Sequence, residues 1–200
     1  MQKLGRQIAR AHQTVNRYVR RAIVLLDVGR LNSKDQALTC SCVRVRDLVH
    51  QVAEDYRDEA SFRGARIECA VEGDLVGYWD AHMIEQILAN LVSNGIRYGG
   101  GSPVTVRAFA ADPGWAVFEV EDQGPGIAEA DRARIFGKFE RVVASGRERA
   151  GFGLGLWIVG RMVAAHQGTI DVVAAPQGGT LFRVRLPLAP QSPTQEESRG

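Results

Sequence analysis

The chain has 200 residues, 45% of them hydrophobic, and its 25 Lys and Arg against 23 Asp and Glu give a formal net charge of +2. That is enough for one sizeable core plus a helical appendage or a second small domain, and the scattered, nearly balanced charge excludes the basic face of a nucleic-acid binder. Three cysteines, Cys40, Cys42 and Cys69, lack zinc-site CxxC pairs and read as reduced and cytoplasmic, while no apolar run approaches the ~20 residues of a membrane span.

Residues 1–28 carry Leu4, Ile8, Ala11, Val15, Tyr18, Ala22 and Leu25 at alternating steps of four and three, a heptad seam. Nothing in the first thirty residues can cover it, which predicts a partner helix from a second copy or from sequence outside this chain. Gly29 and Asn32-Ser33 break the pattern, and residues 32–37 read as a linker. Leu38–Val45 is a strand candidate, and Asp47 starts a helix through about Phe62 that Gly64 ends. Arg66–Val71 alternates as a strand, Val76–Trp79 is a second, and Asp80 is a good N-cap for a long helix over 80–101.

That helix has two faces. Ile84, Ile87, Leu88 and Leu91 form an apolar stripe, while Asn90, Asn94, Arg97 and Tyr98 project together at steps of three or four. Two amides, a guanidinium and an aromatic ring ahead of three glycines suit a phosphorylated aromatic ligand. Val104–Ala110 and Trp115–Glu121 then read as a hairpin around Asp112-Pro113-Gly114.

The second strand runs into Asp122-Gln-Gly124-Pro-Gly126-Ile127. Spaced glycines let backbone approach a flat ligand while Asp122 accepts a hydrogen bond from an exocyclic amine such as that of adenine; an ordinary turn is the competing reading. A short helix over about 128–136 and an Arg- and Gly-rich loop follow. Gly151-Phe-Gly153-Leu154-Gly155-Leu156 opens an apolar helix to about His166, where free N–H groups make an anion site, although the Lys-Ser/Thr of a P-loop is missing. Gly168–Ala174 and Thr180–Leu186 form a second hairpin, and the Pro-, Gln-, Ser- and Glu-rich tail over 188–200 is expected to be disordered.

The order of these pieces carries more than any one of them. Asn90-Leu-Val-Ser-Asn94, Asp122-x-Gly-x-Gly126, Phe136-Gly-Lys-Phe139-Glu-Arg141 and Gly151-x-Gly-Leu-Gly-Leu156 resemble, in that order, the N, first-glycine, F and second-glycine boxes of the histidine-kinase catalytic domain, within the wider gyrase, chaperone and mismatch-repair ATPase superfamily. The resemblance covers roughly residues 38–187. It implies an α/β two-layer sandwich of mixed sheet and three helices that binds ATP with Mg²⁺ beneath a mobile lid, roughly Lys138 to Phe152.

Carried over by position, Asn94 matches the amide that ligates Mg²⁺, Arg97 the basic residue that reaches the phosphates, Tyr98 the aromatic beside the base and Asp122 the adenine-reading carboxylate. Gly124, Gly126, Gly153 and Gly155 match the backbone-approach glycines, with Ile127, Leu154 and Leu156 beside them. Phe136 and Phe139 would anchor the lid, Arg141, Arg147 and Arg149 could pair with phosphate oxygens, and Thr180 would lie near the base. Asn90 stands where the hydrolytic relatives carry a Glu that activates water, and an amide is a poor general base.

Three departures qualify the resemblance. Gly95 replaces the usual alanine, at a helix cost of about 1 kcal/mol or less. Val143 takes a lid position where an acid is common. No phosphoacceptor box is present: His12 has neither the following acid nor the Pro, and His50, His82 and His166 read as structural. Residues 1–31 resemble the second helix of the family's dimerisation hairpin. The expectation is thus the catalytic part of a homodimeric two-component sensor kinase, cytoplasmic or the cytoplasmic part of a membrane-bound sensor. It would transfer the ATP γ-phosphate to a His outside this chain and act on a response regulator. A nucleotide-binding regulatory module, a superfamily ATPase and an anti-sigma-type serine kinase are the rivals.

Overall fold

The structure, a computed structural model, describes residues 38–140 and 153–189. The expected heptad helix over 1–31, the linker 32–37, the loop bearing Arg141, and the tail after Ala189 lie outside them. The described part belongs to a unit that starts at Leu38. Its elements are β1 (Ser41–Arg44), α1 (Val45–Asp55), α2 (Arg57–Phe62), β2 (Ile67–Val71), β3 (Val76–Trp79), α3 (Ala81–Tyr98), β4 (Val104–Ala111), β5 (Trp115–Asp122), α4 (Glu129–Arg132), a 3-10 turn Arg134–Phe136, α5 (Gly155–Ala165), β6 (Thr169–Ala174) and β7 (Thr180–Pro187).

Five strands make a mixed sheet in the order β2-β4-β5-β7-β6, parallel only between β2 and β4, while β1 and β3 form a separate antiparallel pair. α1, α3 and α5 lie against one sheet face, with α3 between the other two. The core is where they meet: Val45, Val49, Ile84, Leu88, Leu91, Ile96, Ile158 and Met162 from the helices, against Val104, Ala108, Phe118, Val120 and Val184 from the strands. This is the α/β sandwich with three principal helices that the sequence implied. Among the described residues no helix is long and apolar enough to cross a membrane.

Local chemistry sets the boundaries. The helix expected over 47–62 is two helices that break at the buried Tyr56 (φ −105°, ψ 1°), whose N–H still reaches the Val52 carbonyl and whose carbonyl accepts the Ala60 N–H. Asp112 (φ 37°) and Gly114 (φ 90°) make the left-handed corner of the β4–β5 hairpin, as Asp-Pro-Gly predicts. α5 ends through Gln167 (φ 57°), with the Gly168 N–H on the Val163 carbonyl at 2.9 Å. Pairing extends one residue past the expected domain end at Pro187: the Leu188 N–H reaches the Gly114 carbonyl and its own carbonyl accepts from Tyr78 N–H, both at 2.8 Å. Trp79, 1% exposed, ties β3 to that edge through an Nε1–H bond of 2.6 Å to the Pro187 carbonyl.

Candidate functional site

Side chains alternate across a strand, and that alternation decides where the carboxylate of β5 goes. Trp115, Val117, Glu119 and Glu121 share the outer face, where Glu119 and Glu121 pair with Arg183 and Arg107. Ala116, Phe118, Val120 and therefore Asp122 share the face beneath the helices. Asp122, opposite Thr180 of β7, is 5% exposed. Its Oδ1 accepts the Gly124 N–H at 2.8 Å. Burial pushes its carboxyl above the usual range; Gly124 and the side chain and backbone of Thr180 oppose that rise through hydrogen bonds, and neighbouring Glu121 adds to it. A desolvated carboxylate at an open strand end is a strong acceptor for an N–H donor brought by a ligand.

The glycines around it are sterically required. A Cβ at Gly124 would run into the Tyr98 carbonyl, and one at Gly179 (φ 101°) into the Asp122 carbonyl. At Gly126 (φ 75°) it would sit 3.1 Å from the Gly179 carbonyl. The sequence placed Gly179 in a hairpin turn ahead of Thr180 without a role at the site, because Gln-Gly-Gly before a strand looks like any turn. Gly95 changes meaning: a Cβ there would stand 3.0 and 3.1 Å from the two methyls of Val104. The residue that looked like a simple helix weakness makes room for the first residue of β4.

The second half of the site is a helix face. Asn90, Asn94 and Arg97 are half-buried along α3, and Tyr98 is 54% exposed at its end. Asn90 donates from Nδ2 to the Gln86 carbonyl at 2.9 Å, and its Oδ1 would lie 3.0 Å from a Cβ at Gly155, so glycine lets the amide close on the start of α5. That first turn has no side-chain cap, which leaves its N–H groups available to an anion. Leu154 is buried just ahead of it and Leu156 half-buried within it. Gly153 (φ 67°) accepts the Phe139 N–H through its carbonyl at 3.0 Å.

Phe136 packs edge-on against Phe182 with centroids 6.5 Å apart, and Lys138 Nζ lies 5.4 Å from both the Phe139 and Trp157 rings. The structure thus joins Asp122, Gly124, Thr180 and the Tyr98 backbone at one end, and Asn90 with Gly155 at the other. Asn94 and Arg97 share the helix face with Asn90. Ile127 contributes its carbonyl to Arg132 Nε at 3.3 Å. Arg141 lies outside the described residues. Among those residues no three His, Cys, Asp or Glu converge as a metal cage. An amide oxygen on α3 nevertheless fits Mg²⁺, which keeps waters and takes substrate phosphate oxygens in place of an all-protein cage.

Comparison with known proteins agrees with this geometry. Residues 79–190, more than half the chain, match the family of histidine kinase-, DNA gyrase B-, and HSP90-like ATPases. The sensor histidine kinase TmoS of Ectopseudomonas mendocina is 31% identical over 166 residues, which cover 82% of this chain and 17% of TmoS. Full-length ShkA, solved in complex with AMPPNP, is 33% identical with a TM-score of 0.74, over 85% of this chain and 35% of ShkA. The mycobacterial sensor histidine kinase MprB structure is 29% identical with a TM-score of 0.66, over 76% of this chain and all of that one. The chain therefore spans a minor part of full-length relatives; it belongs to the histidine kinase-, gyrase B- and HSP90-like ATPase family and is similar to the ATPase-type domains of sensor histidine kinases.

Proposed function

We propose that this domain binds ATP with Mg²⁺ and presents the γ-phosphate to a histidine outside the chain. The observation that carries the reading is the buried Asp122 at the end of β5, backed by Thr180 and Gly124 and packed beside Gly95 and Gly99 at the C-terminal end of α3. Asp122 accepts the exocyclic amine of adenine, Thr180 and Ile127 line the base, and Tyr98 covers it. Gly124, Gly126, Gly153 and Gly155, with Leu154 and Leu156, let main chain approach base and phosphates. Asn94 would hold Mg²⁺ and Arg97 the phosphates, with Phe136 anchoring the segment that brings Arg141. When bound, the cation supplies charge neutralisation on the phosphate oxygens.

Catalysis in this reading is positioning: the side chains of α3 and the N–H groups of α5 hold the triphosphate so that an incoming imidazole meets the γ-phosphorus in line. Asn90 favours transfer over hydrolysis. Its amide is engaged with Gln86 and cannot take a proton from water. Residues 1–31 serve as one helix of a homodimeric hairpin, 32–37 as linker, 38–187 as the catalytic domain with 188–200 as its tail, and a response regulator receives the phosphate.

Equilibrium binding of a fluorescent ATP analogue with Mg²⁺ tests the site. Binding that Asp122→Asn and Asn94→Ala leave unchanged rules the reading out. Incubation with γ-labelled ATP and a histidine-bearing dimerisation hairpin tests the transfer: acid-labile phosphate on the hairpin supports a kinase, none supports a regulatory module, and rapid free phosphate release supports an ATPase.

A further inference from the structure

His166, which caps α5 and is 5% exposed, makes two hydrogen bonds whose directions are fixed by their partners. Its Nδ1 lies 2.8 Å from the Met162 carbonyl, which can only accept. Its Nε2 lies 3.1 Å from the Asp80 N–H, which can only donate. The ring therefore carries its proton on Nδ1 and presents a bare Nε2 to α3. Asp80 is the N-cap of α3: Oδ1 accepts Met83 N–H at 3.2 Å, and Oδ2 accepts Thr39 N–H at 3.2 Å from the stretch that leads into β1. One imidazole and one carboxylate thus join the end of α5, the start of α3 and the point where the chain enters the domain.

The two helices lie side by side and meet again at the site, where Asn90 closes on Gly155. At about 1.5 Å per helical residue, Asp80 to Asn90 spans about 15 Å and Gly155 to His166 about 17 Å. The antiparallel pair is clamped at one end and touches the site at the other, over lengths that differ by about one residue's rise. Sliding α5 along α3 would move the uncapped first turn of α5 away from Asn90.

We propose that His166 is a positioning residue for the nucleotide site, setting the register of α5 against α3 through Asp80 so that the α5 N–H groups stand opposite the α3 amides. This rests on the nucleotide-binding reading above. Through Thr39 the same clamp connects that register to whatever displaces the chain entering at β1.

The test compares three variants of the full chain for ATP-analogue affinity and thermal midpoint. His166→Leu removes both bonds. His166→Gln keeps a side-chain oxygen to accept from Asp80. Val49→Ala lowers stability from the core of α1, away from the clamp. His166→Leu is expected to weaken binding about fivefold or more, the worth of one hydrogen bond; His166→Gln recovers most of it, and Val49→Ala binds within about twofold despite its lower midpoint. Unchanged affinity in His166→Leu, or a loss that merely tracks the midpoint as in Val49→Ala, overturns the proposal. Should His166→Leu fail to fold, nitrogen-15 NMR of the unaltered chain decides: a proton on Nδ1 with Nε2 bare is required, and a proton on Nε2 overturns the clamp. No nucleotide binding by the unaltered chain removes the functional reading itself, and the positioning role with it.

Discussion

The two ends of the proposed nucleotide site, one assigned in that proposal to the base and the other to the phosphates, are built by different means. At the base end, Asp122 is held by strand pairing and by glycines that leave no room for a Cβ, so its position belongs to the backbone of β5, β7 and the turns beside them. At the phosphate end, Asn90, Asn94 and Arg97 are half-buried side chains on one helix, opposite an uncapped helix start. The base end is preorganised and intolerant. The phosphate end depends on side chains that a ligand can still order, and it is where chemistry can be altered without unfolding the domain.

The sharpest way to break the contrast is Gly179→Ala. A methyl group at φ 101° aimed into the Asp122 carbonyl combines a backbone penalty of roughly 1–3 kcal/mol with a clash. Thermal unfolding should show the loss, and nucleotide binding should vanish with it. Next in size, Asp122→Asn is expected to cut ATP-analogue affinity by roughly 10- to 100-fold, the worth of a charge-assisted hydrogen bond. Its effect on stability has the opposite sign. Because burial raises the Asp122 pKa in the folded state, its stability contribution is fully present below the ordinary carboxylate pKa of about 4 and is lost as pH rises through the elevated folded value. At neutral pH the ligand-free Asn variant should therefore melt no lower than the unaltered chain, and any advantage should shrink on acidification toward that range. A midpoint well below the unaltered chain at pH 7 would mean that Asp122 is a structural residue.

Asn94→Ala should separate the ends most cleanly. The side chain is half-buried on a helix where Ala is favoured, so the thermal midpoint should hold within about 0.5 kcal/mol, while Mg²⁺-dependent affinity falls about tenfold. The smallest effect is Gly95→Ala. Helix propensity favours it by about 1 kcal/mol, the close approach of Val104 opposes it, and denaturant titration should find the two nearly balanced.

Much of this architecture was legible in the sequence because its signals are local. Asp80 caps α3 as its side chain requires, Asp112-Pro113-Gly114 turns β4 into β5, and the period of Ile84, Ile87, Leu88 and Leu91 gave the buried stripe of α3. What escaped depends on partners far along the chain. The break at Tyr56 leaves no local signal in a run of apolar residues at helical spacing, and the separate β1–β3 pair follows from registers that no short window contains. Gly95 acquires its role only beside Val104, and His166 only beside Asp80. Of the site, residue types were readable from the ordered boxes; the burial of Asp122 and the closing of Asn90 on Gly155 needed the fold.

The parallel pairing of β2 with β4 has a consequence for how the domain forms. Parallel neighbours need a long crossover, and here that crossover includes α3, the helix that bears the amides. The sheet cannot zip from β2 to β4 until the connection between them has compacted, which places α3 on the slow, non-local step of folding. Nucleotide would then meet either a finished domain or one whose edge strand β2 is not yet paired, and binding would serve as a reporter of completed folding.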